Sequence, residues 1–259
     1  MRNRRLIIAN WKMNPLSIDE ARRLAMSIEH RMHQFHNKAD VAVCPPFLFL
    51  PALSQYLHFI KLGAQNCSWE ETGPFTGEVS PGQLSQYRVE YVILGHSERR
   101  LNFGESDGAV MLKLFEAMKR KLTPVLCLGG EKNAKKEGMK RLVSKQFKDC
   151  LAGIDKKDWH KIVFVYEPVW AISTMSKGEP ATGEHAVELI SYIRSLIAKG
   201  VGKHAAATVK ILYGGSVNRT NAAQFAHFEE IDGALVGAAG LEAENFTEVI
   251  REFARTGSN

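Results

Sequence analysis

Cysteine is scarce in this chain, with four among 259 residues: Cys44, Cys67, Cys127 and Cys150. None of them has the spacing of a metal-binding pair, and three stand in apolar, strand-like segments where a buried thiol is the usual finding. This usage indicates a reducing compartment. The apolar run after the basic N-terminus breaks at Asn10, too early for a signal peptide or a membrane span, so we expect a cytoplasmic protein without a membrane partner.

Low-complexity tracts and Pro/Ser-rich linkers are also missing, so no domain boundary is visible. Hydrophobic residues make up 45% and charged residues 24%, as in ordinary soluble globular proteins. A chain of this length can form a single α/β barrel of about 250 residues. We therefore predict one domain over residues 1–259.

The charge balance is positive, with 34 basic and 28 acidic residues giving +6. The basic residues lie in short separated clusters, and no basic stripe interleaved with aromatics is present. This pattern argues against a nucleic-acid partner and fits a solvated surface or the steering of a small anion.

Short apolar runs alternate with segments of helical periodicity, which is typical of βαβ units and a parallel sheet. Eight such units are the number that closes a barrel. The predicted strands are Leu6 to Asn10, Val41 to Pro45, Leu62 to Asn66, Tyr91 to Gly95, Pro124 to Leu128, Val163 to Glu167, Lys210 to Gly214 and Gly233 to Gly237.

Two segments between these runs have the residue spacing of a helix N-terminal cap. Ser17 with Glu20, and Asn245 with Glu248, each precede an apolar stripe of helical period. Histidines at 30, 33 and 36 also recur in the first helix, but three-residue steps drift around a helix. We expect no metal there.

Polar residues stand at the ends of several apolar runs, which meet at one mouth if the runs form a barrel. Asn10 and Lys12 follow the first run, His96 the fourth, and Gly214-Gly215-Ser216 the seventh. Glu167 ends the sixth run, and Pro168 stops that strand from continuing.

Together these residues suit proton abstraction beside the carbonyl of a phosphorylated substrate. Glu167 is the candidate base, His96 would polarise the carbonyl, and Lys12 would stabilise the developing negative charge. His96 precedes what reads as the start of a short helix, whose positive end favours a neutral imidazole. Backbone N–H groups near Ser216, Gly237 and Ala238 would bind the phosphate.

Five motifs in this sequence resemble those of the triosephosphate isomerase family, and the resemblance covers essentially the whole chain. They read Asn-Trp-Lys-Met-Asn at 10–14, Phe-Thr-Gly-Glu at 75–78, Gly-His-Ser-Glu-Arg-Arg at 95–100, Tyr-Glu-Pro-Val-Trp-Ala at 166–171 and Tyr-Gly-Gly-Ser-Val at 213–217.

The resemblance implies a TIM (β/α)8 barrel, with eight parallel strands and outer helices. It also implies an enzyme that interconverts dihydroxyacetone phosphate and D-glyceraldehyde 3-phosphate through an enediol, in glycolysis and gluconeogenesis, without cofactor or metal. A homodimer is expected, in which Thr76 and Glu78 act across the interface.

The resemblance further assigns residues of this chain to roles. Asn10, Lys12, His96 and Glu167 fall on the catalytic motif. The supporting positions are Glu98 and Cys127, and the apolar pair that crowds the base is Ile172 with Leu235.

The chain departs from the family pattern mainly at the lid. Ser173 replaces the glycine whose N–H binds phosphate, and the lid hinge before Ala181 is about three residues longer. The acid that usually partners the lid tryptophan is moved one place by Gly129-Gly130-Glu131, so Trp170 is expected to lose its usual acceptor. Ala238 replaces the second phosphate-binding glycine.

Two other readings fit these departures. The chain could be a non-catalytic dimeric homologue, although binding alone would not require Asn10, Lys12, His96 and Glu167 together. The altered lid also leaves open another phosphosugar isomerase on the same barrel.

Overall fold

A computed structural model describes residues 4–33, 35, 37–130, 136–169 and 181–256. In this part of the chain eight parallel strands form a closed barrel in sequential order, and β8 pairs with β1. The strands are β1 (Arg5–Asn10), β2 (Ala39–Cys44), β3 (Lys61–Ala64), β4 (Val89–Leu94), β5 (Thr123–Leu128), β6 (Val163–Tyr166), β7 (Ile211–Tyr213) and β8 (Gly233–Val236).

Helices connect the strands around the outside of the barrel. They are α1 (Ile18–Met32), α2 (Leu50–Leu53), α3 (Pro81–Ser85), α4 (Ser97–Phe103), α5 (Asp107–Lys119), α6 (Met139–Cys150), α7 (Gly183–Val201), α8 (Lys203–Thr208), α9 (Ala222–Ala226) and α10 (Ala243–Thr256). The predicted α/β barrel is therefore confirmed.

The strand limits differ slightly from the predicted runs. Six of the eight predictions extend one or two residues past the observed end, at residues such as Gly95, Glu167 and Gly214. Several strands also begin earlier than predicted, at polar or half-exposed positions such as Lys61 on the opposite rim.

Each strand is apolar on both faces because the two faces pack into different layers. Side chains such as Ile8, Cys127 and Val165 fill the inside of the barrel. Their neighbours, such as Ile7 and Tyr166, pack outward against the helices. This alternation continues past the end of β6, so Glu167 points inward.

One of the two predicted helix caps is confirmed and the other is wrong. The Ser17 hydroxyl accepts a hydrogen bond from the N–H of Glu20 at 3.3 Å and begins α1. Asn245, however, lies inside α10, which already begins at Ala243. Its side chain instead accepts from the N–H of Arg219 at 2.9 Å, because an asparagine side chain can bond a distant backbone group in place of a helix end.

Among the residues described, no helix combines the length and the apolar character needed to cross a membrane.

The four cysteines are free thiols buried on both sides of the barrel wall. Cys44 and Cys127 lie inside the barrel, whereas Cys67 and Cys150 lie between the strands and the helices. Burial raises the pKa of Cys67 to about 12 and that of Cys150 to about 12, and it also raises the pKa of Cys44 and of Cys127.

We expect none of these thiols to react with a maleimide at pH 8 in the native chain, and all four to react in denaturant. The pKa of these thiols is near 9 in the unfolded chain and higher in the folded chain, so alkali favours unfolding. Above pH ~9 the free energy of unfolding falls by up to about 1.4 kcal/mol per thiol for each pH unit. Mass spectrometry counts the labels, and rapid labelling of the native chain would contradict the burial.

Candidate active site

A cavity of about 280 Å³ opens at the carboxyl ends of the strands. Loops after β1, β4, β6, β7 and β8 contribute to its wall, so residues far apart in the sequence meet there. The predicted site residues among its lining are Asn10, Lys12, His96, Glu167, Ser216, Leu235, Gly237 and Ala238.

Glu167 is fully buried and lines this cavity. Its backbone N–H donates to the carbonyl of Leu128 at 2.8 Å, which ties the end of β6 to β5. Its carboxylate accepts from the N–H of Ser97 at 2.9 Å and from the Ser97 hydroxyl at 3.4 Å. These bonds offset part of the cost of burying the carboxylate.

His96 stands at the start of α4 and faces Glu167. The N–H of Glu98 donates to its Nδ1 at 3.2 Å, so the hydrogen of the neutral ring is on Nε2. Nε2 lies 3.2 Å from Oε1 of Glu167. The predicted short helix after His96 is confirmed: His96 is the N-cap of α4, and its side chain lines the cavity.

Lys12 has a left-handed backbone with φ of 55°, a conformation that costs a non-glycine residue about 1–3 kcal/mol. Two side chains hold it: its N–H donates to Oδ1 of Asn10 at 3.0 Å, and its carbonyl accepts from Nε2 of Gln65 at 2.7 Å. Its ammonium pairs with Glu98 at 2.6 Å. The strained backbone therefore directs the Lys12 charge toward the mouth of the barrel.

Cys127 lies inside the barrel near the Glu167 carboxylate. Burial, and next the charge of Glu167, raises the pKa of its thiol well above the usual range. The thiol therefore stays protonated and can donate a hydrogen bond to the Glu167 carboxylate.

Another part of the cavity wall follows β7 and β8 and includes several small residues, among them Gly215, Ser216 and Gly237. The carbonyl of Ser216 accepts from the Asn221 amide at 2.9 Å, which fixes this turn. A side chain added at Gly237 would lie 3.9 Å from the Lys12 ammonium, so this loop and the cation border one another. Such a wall can accept an anion close to the backbone.

Other predicted residues lie elsewhere. Trp170, Ile172 and Ser173 fall outside the described residues, as does Glu131. Thr76 and Glu78 are exposed in the loop after β3 and do not line the cavity of this chain.

Sequence reasoning gives no role to three residues that the structure brings to the site. Ser97 binds Glu167, Gln65 holds Lys12, and Gly130 packs against Ser97. Gln65 follows the end of β3 and could have been found by the same signal as His96. The sequence does not single out Gln65, because the third predicted strand extends through Asn66 and therefore includes it.

Comparison with known proteins agrees with this geometry. The family model for triosephosphate isomerase matches residues 5–253. That match covers nearly all of the chain. The chain belongs to the triosephosphate isomerase family.

Named relatives within this family are similar over their whole length. A triosephosphate isomerase from Aquifex aeolicus is 42% identical over 253 residues, covering 96% of this chain and 100% of the relative. One from Alkaliphilus oremlandii is 42% identical over 249 residues, covering 95% and 98%. One from Clostridium tetani is 41% identical over 248 residues, covering 95% of each chain.

Gly129 and Gly130 follow the end of β5, between the segments that contain Ser97 and Glu167. A side chain added at Gly130 would lie 2.6 Å from Cα and Cβ of Ser97. Gln146 holds the same turn, accepting from the N–H of Gly129 at 2.7 Å. The turn therefore cannot accommodate a side chain at position 130 unless Ser97 moves.

We expect Gly130→Ala to lower isomerase kcat by about 10-fold or more, because a displaced Ser97 changes how Glu167 is held. Gly108→Ala is the matched control, since the nearest atom to its added methyl is 3.9 Å away, and we expect unchanged turnover. Steady-state kinetics and thermal unfolding measure both, and a Gly130→Ala enzyme with wild-type kcat would contradict the expectation.

Proposed function

We propose that the chain is an active triosephosphate isomerase. It interconverts dihydroxyacetone phosphate and D-glyceraldehyde 3-phosphate in glycolysis and gluconeogenesis. The observation that carries this proposal is the facing pair of a buried Glu167 carboxylate and the His96 Nε2–H, 3.2 Å apart, in a cavity that also contains Lys12. The pair supplies a base and a hydrogen-bond donor that can address neighbouring substrate atoms.

In the proposed reaction Glu167 removes a proton from the carbon next to the carbonyl. The electron pair of that C–H bond forms the enediolate double bond, and the negative charge moves to the carbonyl oxygen. His96 donates a hydrogen bond to this oxygen and Lys12 stabilises the charge. His96 then gives its Nε2 proton to this oxygen and takes up the proton of the neighbouring hydroxyl, so the second oxygen becomes the new carbonyl oxygen. Glu167 returns its proton to the former carbonyl carbon, which completes the isomerisation.

The substrate phosphate is proposed to lie against the turns that contain Ser216, Gly237 and Ala238. Backbone N–H groups and the nearby Lys12 ammonium suit a dianion, and Ala238 retains the N–H of the glycine it replaces. Ser173 is proposed as a further N–H donor. A carboxylate, an imidazole and an ammonium supply the acid-base chemistry, so we propose no cofactor.

Asn10 and Glu98 are proposed to support Lys12. The Asn10 side chain holds the Lys12 N–H, and Glu98 pairs with the ammonium before substrate binds. A cytoplasmic location is proposed because the four cysteines are free, as thiols are in a reducing compartment.

Glu167→Gln tests the base directly. We expect kcat to fall by at least about 10²–10⁴-fold, because the amide cannot accept the proton while it keeps nearly the same shape. Isomerase turnover is measured in both directions with coupled dehydrogenase assays, and circular dichroism checks the fold.

Glu184→Gln is the matched control, because this carboxylate lies on the first turn of α7 outside the cavity. We expect it to keep wild-type turnover. A wild-type chain that interconverts neither triose phosphate would refute the proposed activity, and weak competition by phosphoglycolate, an enediolate mimic, would favour a different phosphosugar.

We further propose that the enzyme is a homodimer. Large apolar side chains are exposed in the segments that follow β1, β2 and β4: Leu16 is 92% exposed, Leu48 is 86% exposed, and Phe103 at the end of α4 is 72% exposed. The strands β1 to β4 are neighbours in the barrel, so these loops form one continuous rim. An apolar rim of this kind is what a second copy would cover.

The loop after β3 supplies a complementary surface on this rim. It borders an open cavity of about 360 Å³ whose lining includes Phe75 and Glu78. In the proposed dimer this loop meets a second copy, where Thr76 and Glu78 support the Asn10 and Lys12 of that copy.

We expect light scattering to give twice the mass of one chain for the wild type. The double variant Leu16→Glu with Leu48→Glu should have the mass of one chain, because unpaired charges buried in the interface oppose association. The monomer should also lose turnover. Phe115→Glu is the control, because Phe115 is 53% exposed on α5 away from these loops. Retention of the dimer by the double variant would place the interface elsewhere.

A further inference from the structure

We infer that His185 is a positioning residue for the base Glu167, acting through the hydroxyl of Tyr166. The inference rests on the proposed isomerase reaction, because it concerns how the base of that reaction is held. His185 lies in the first turn of α7 and is 7% exposed. Its Nε2 is 3.1 Å from the Tyr166 hydroxyl oxygen.

Tyr166 and Glu167 are adjacent residues that point to opposite sides of the barrel wall. Tyr166 is the last residue of β6 and packs outward, while Glu167 points into the cavity. The β6 ladder ends here, with the Tyr166 carbonyl accepting from the N–H of Gly214 at 2.8 Å. A shift of the tyrosine side chain therefore reaches the base across a single peptide unit.

The histidine is itself fixed at both its backbone and its ring. Its N–H donates to the hydroxyl of Thr182 at 3.3 Å, the N-cap bond of α7. The ring packs edge-on against the Tyr166 ring, with 6.1 Å between the centroids. The Tyr166 hydroxyl is thus held by a side chain that cannot easily move.

A neighbouring carboxylate continues this connection to the next helix. Nδ1 of His185 lies 3.9 Å from Oε2 of Glu188, and Glu188 pairs with Lys140 of α6 at 2.8 Å. Glu188 and Lys140 are about half exposed, so their pairing contributes little to stability. The buried bond between His185 and Tyr166 is the stronger part.

The direction of this bond follows from its surroundings. The Glu188 carboxylate favours a hydrogen on Nδ1, so Nε2 accepts the hydrogen of the tyrosine hydroxyl. Burial, and next the neighbouring Tyr213, raises the pKa of Tyr166, so the hydroxyl keeps its hydrogen. A glutamine at 185 could offer an acceptor oxygen in place of Nε2, whereas a leucine could not.

Loss of this bond should affect the chemical step more than substrate binding. A displacement of about 1 Å at a reacting group can lower the rate by about 10²-fold. Loss of the hydrogen bond between His185 and Tyr166 should displace Glu167 by less than this distance. Three of the four proposed phosphate-binding residues, Ser216, Gly237 and Ala238, belong to other loops, whereas Ser173 follows Glu167 in the chain. A tethering role therefore predicts a lower kcat with little change in KM.

The test compares His185→Leu, His185→Gln and Tyr166→Phe by steady-state isomerase kinetics. We expect kcat to fall by about 5–20-fold in His185→Leu and Tyr166→Phe, with KM within about 2-fold of the wild type. His185→Gln should keep kcat within about 3-fold. The double variant His185→Leu with Tyr166→Phe should be no slower than the slower single variant, because both remove the same bond.

Tyr192→Phe is the matched control. Tyr192 also lies on α7, and its hydroxyl is 2.5 Å from the Ser144 hydroxyl of α6. The variant removes a tyrosine hydrogen bond of the same helix without contacting β6, so we expect wild-type kcat even if the melting temperature falls.

Wild-type kcat in Tyr166→Phe would overturn the inference, as would an equal loss in Tyr192→Phe or in His185→Gln. Tyr166→Phe decides the matter alone if His185→Leu does not fold, because it removes one oxygen atom and keeps the ring. An active wild type with unaffected variants refutes only this inference, whereas an inactive wild type refutes the proposed reaction and this inference with it.

Discussion

The burial of a single carboxylate is the constraint on which the site depends. Glu167 has no exposed surface, and a buried carboxylate without hydrogen-bond donors would cost several kcal/mol. Its main donor is the backbone N–H of Ser97, which belongs to the loop after β4, whereas Glu167 itself follows β6. Because β5 separates these strands, the bond forms across the mouth of the closed barrel.

This bond explains the shape of the neighbouring turns. The chain after β5 passes between the loops of β4 and β6, and only a backbone without side chains fits the space there. Gly129 has φ of 107°, and a side chain on it would lie 2.5 Å from the Glu167 carbonyl oxygen. Gly129 and Gly130 thus pack closely against Glu167 and against its donor Ser97.

The sequence was sufficient for the barrel and for the polar residues that meet at its mouth. Continuous apolar runs predicted the strands because both faces of a parallel strand are buried. Polar residues at the end of a run, or just after it, identified Glu167 and His96. The sequence could not give the contacts that depend on spatial approach. Ser97 acts through its backbone N–H, which every residue other than proline has, and His185 acts through Tyr166, which faces away from the cavity.

The predicted cap at Asn245 failed for a related reason. The same spacing suits a helix start and an acceptor for a distant loop, and tertiary contact with Arg219 decided between them. Local propensity is a weak guide where two segments compete for one side chain.

The pairing of β8 with β1 has a consequence for the synthesis of the chain. Ile7 to Ala9 of β1 align with Ala234 to Val236 of β8, so the first strand gains its second neighbour only when the last strand has been made. Until then β1 presents an open edge, and the mouth that brings Lys12 beside Gly237 is incomplete. A ribosome-bound chain that still lacks β8 should therefore fold its early βα units without being able to turn over substrate.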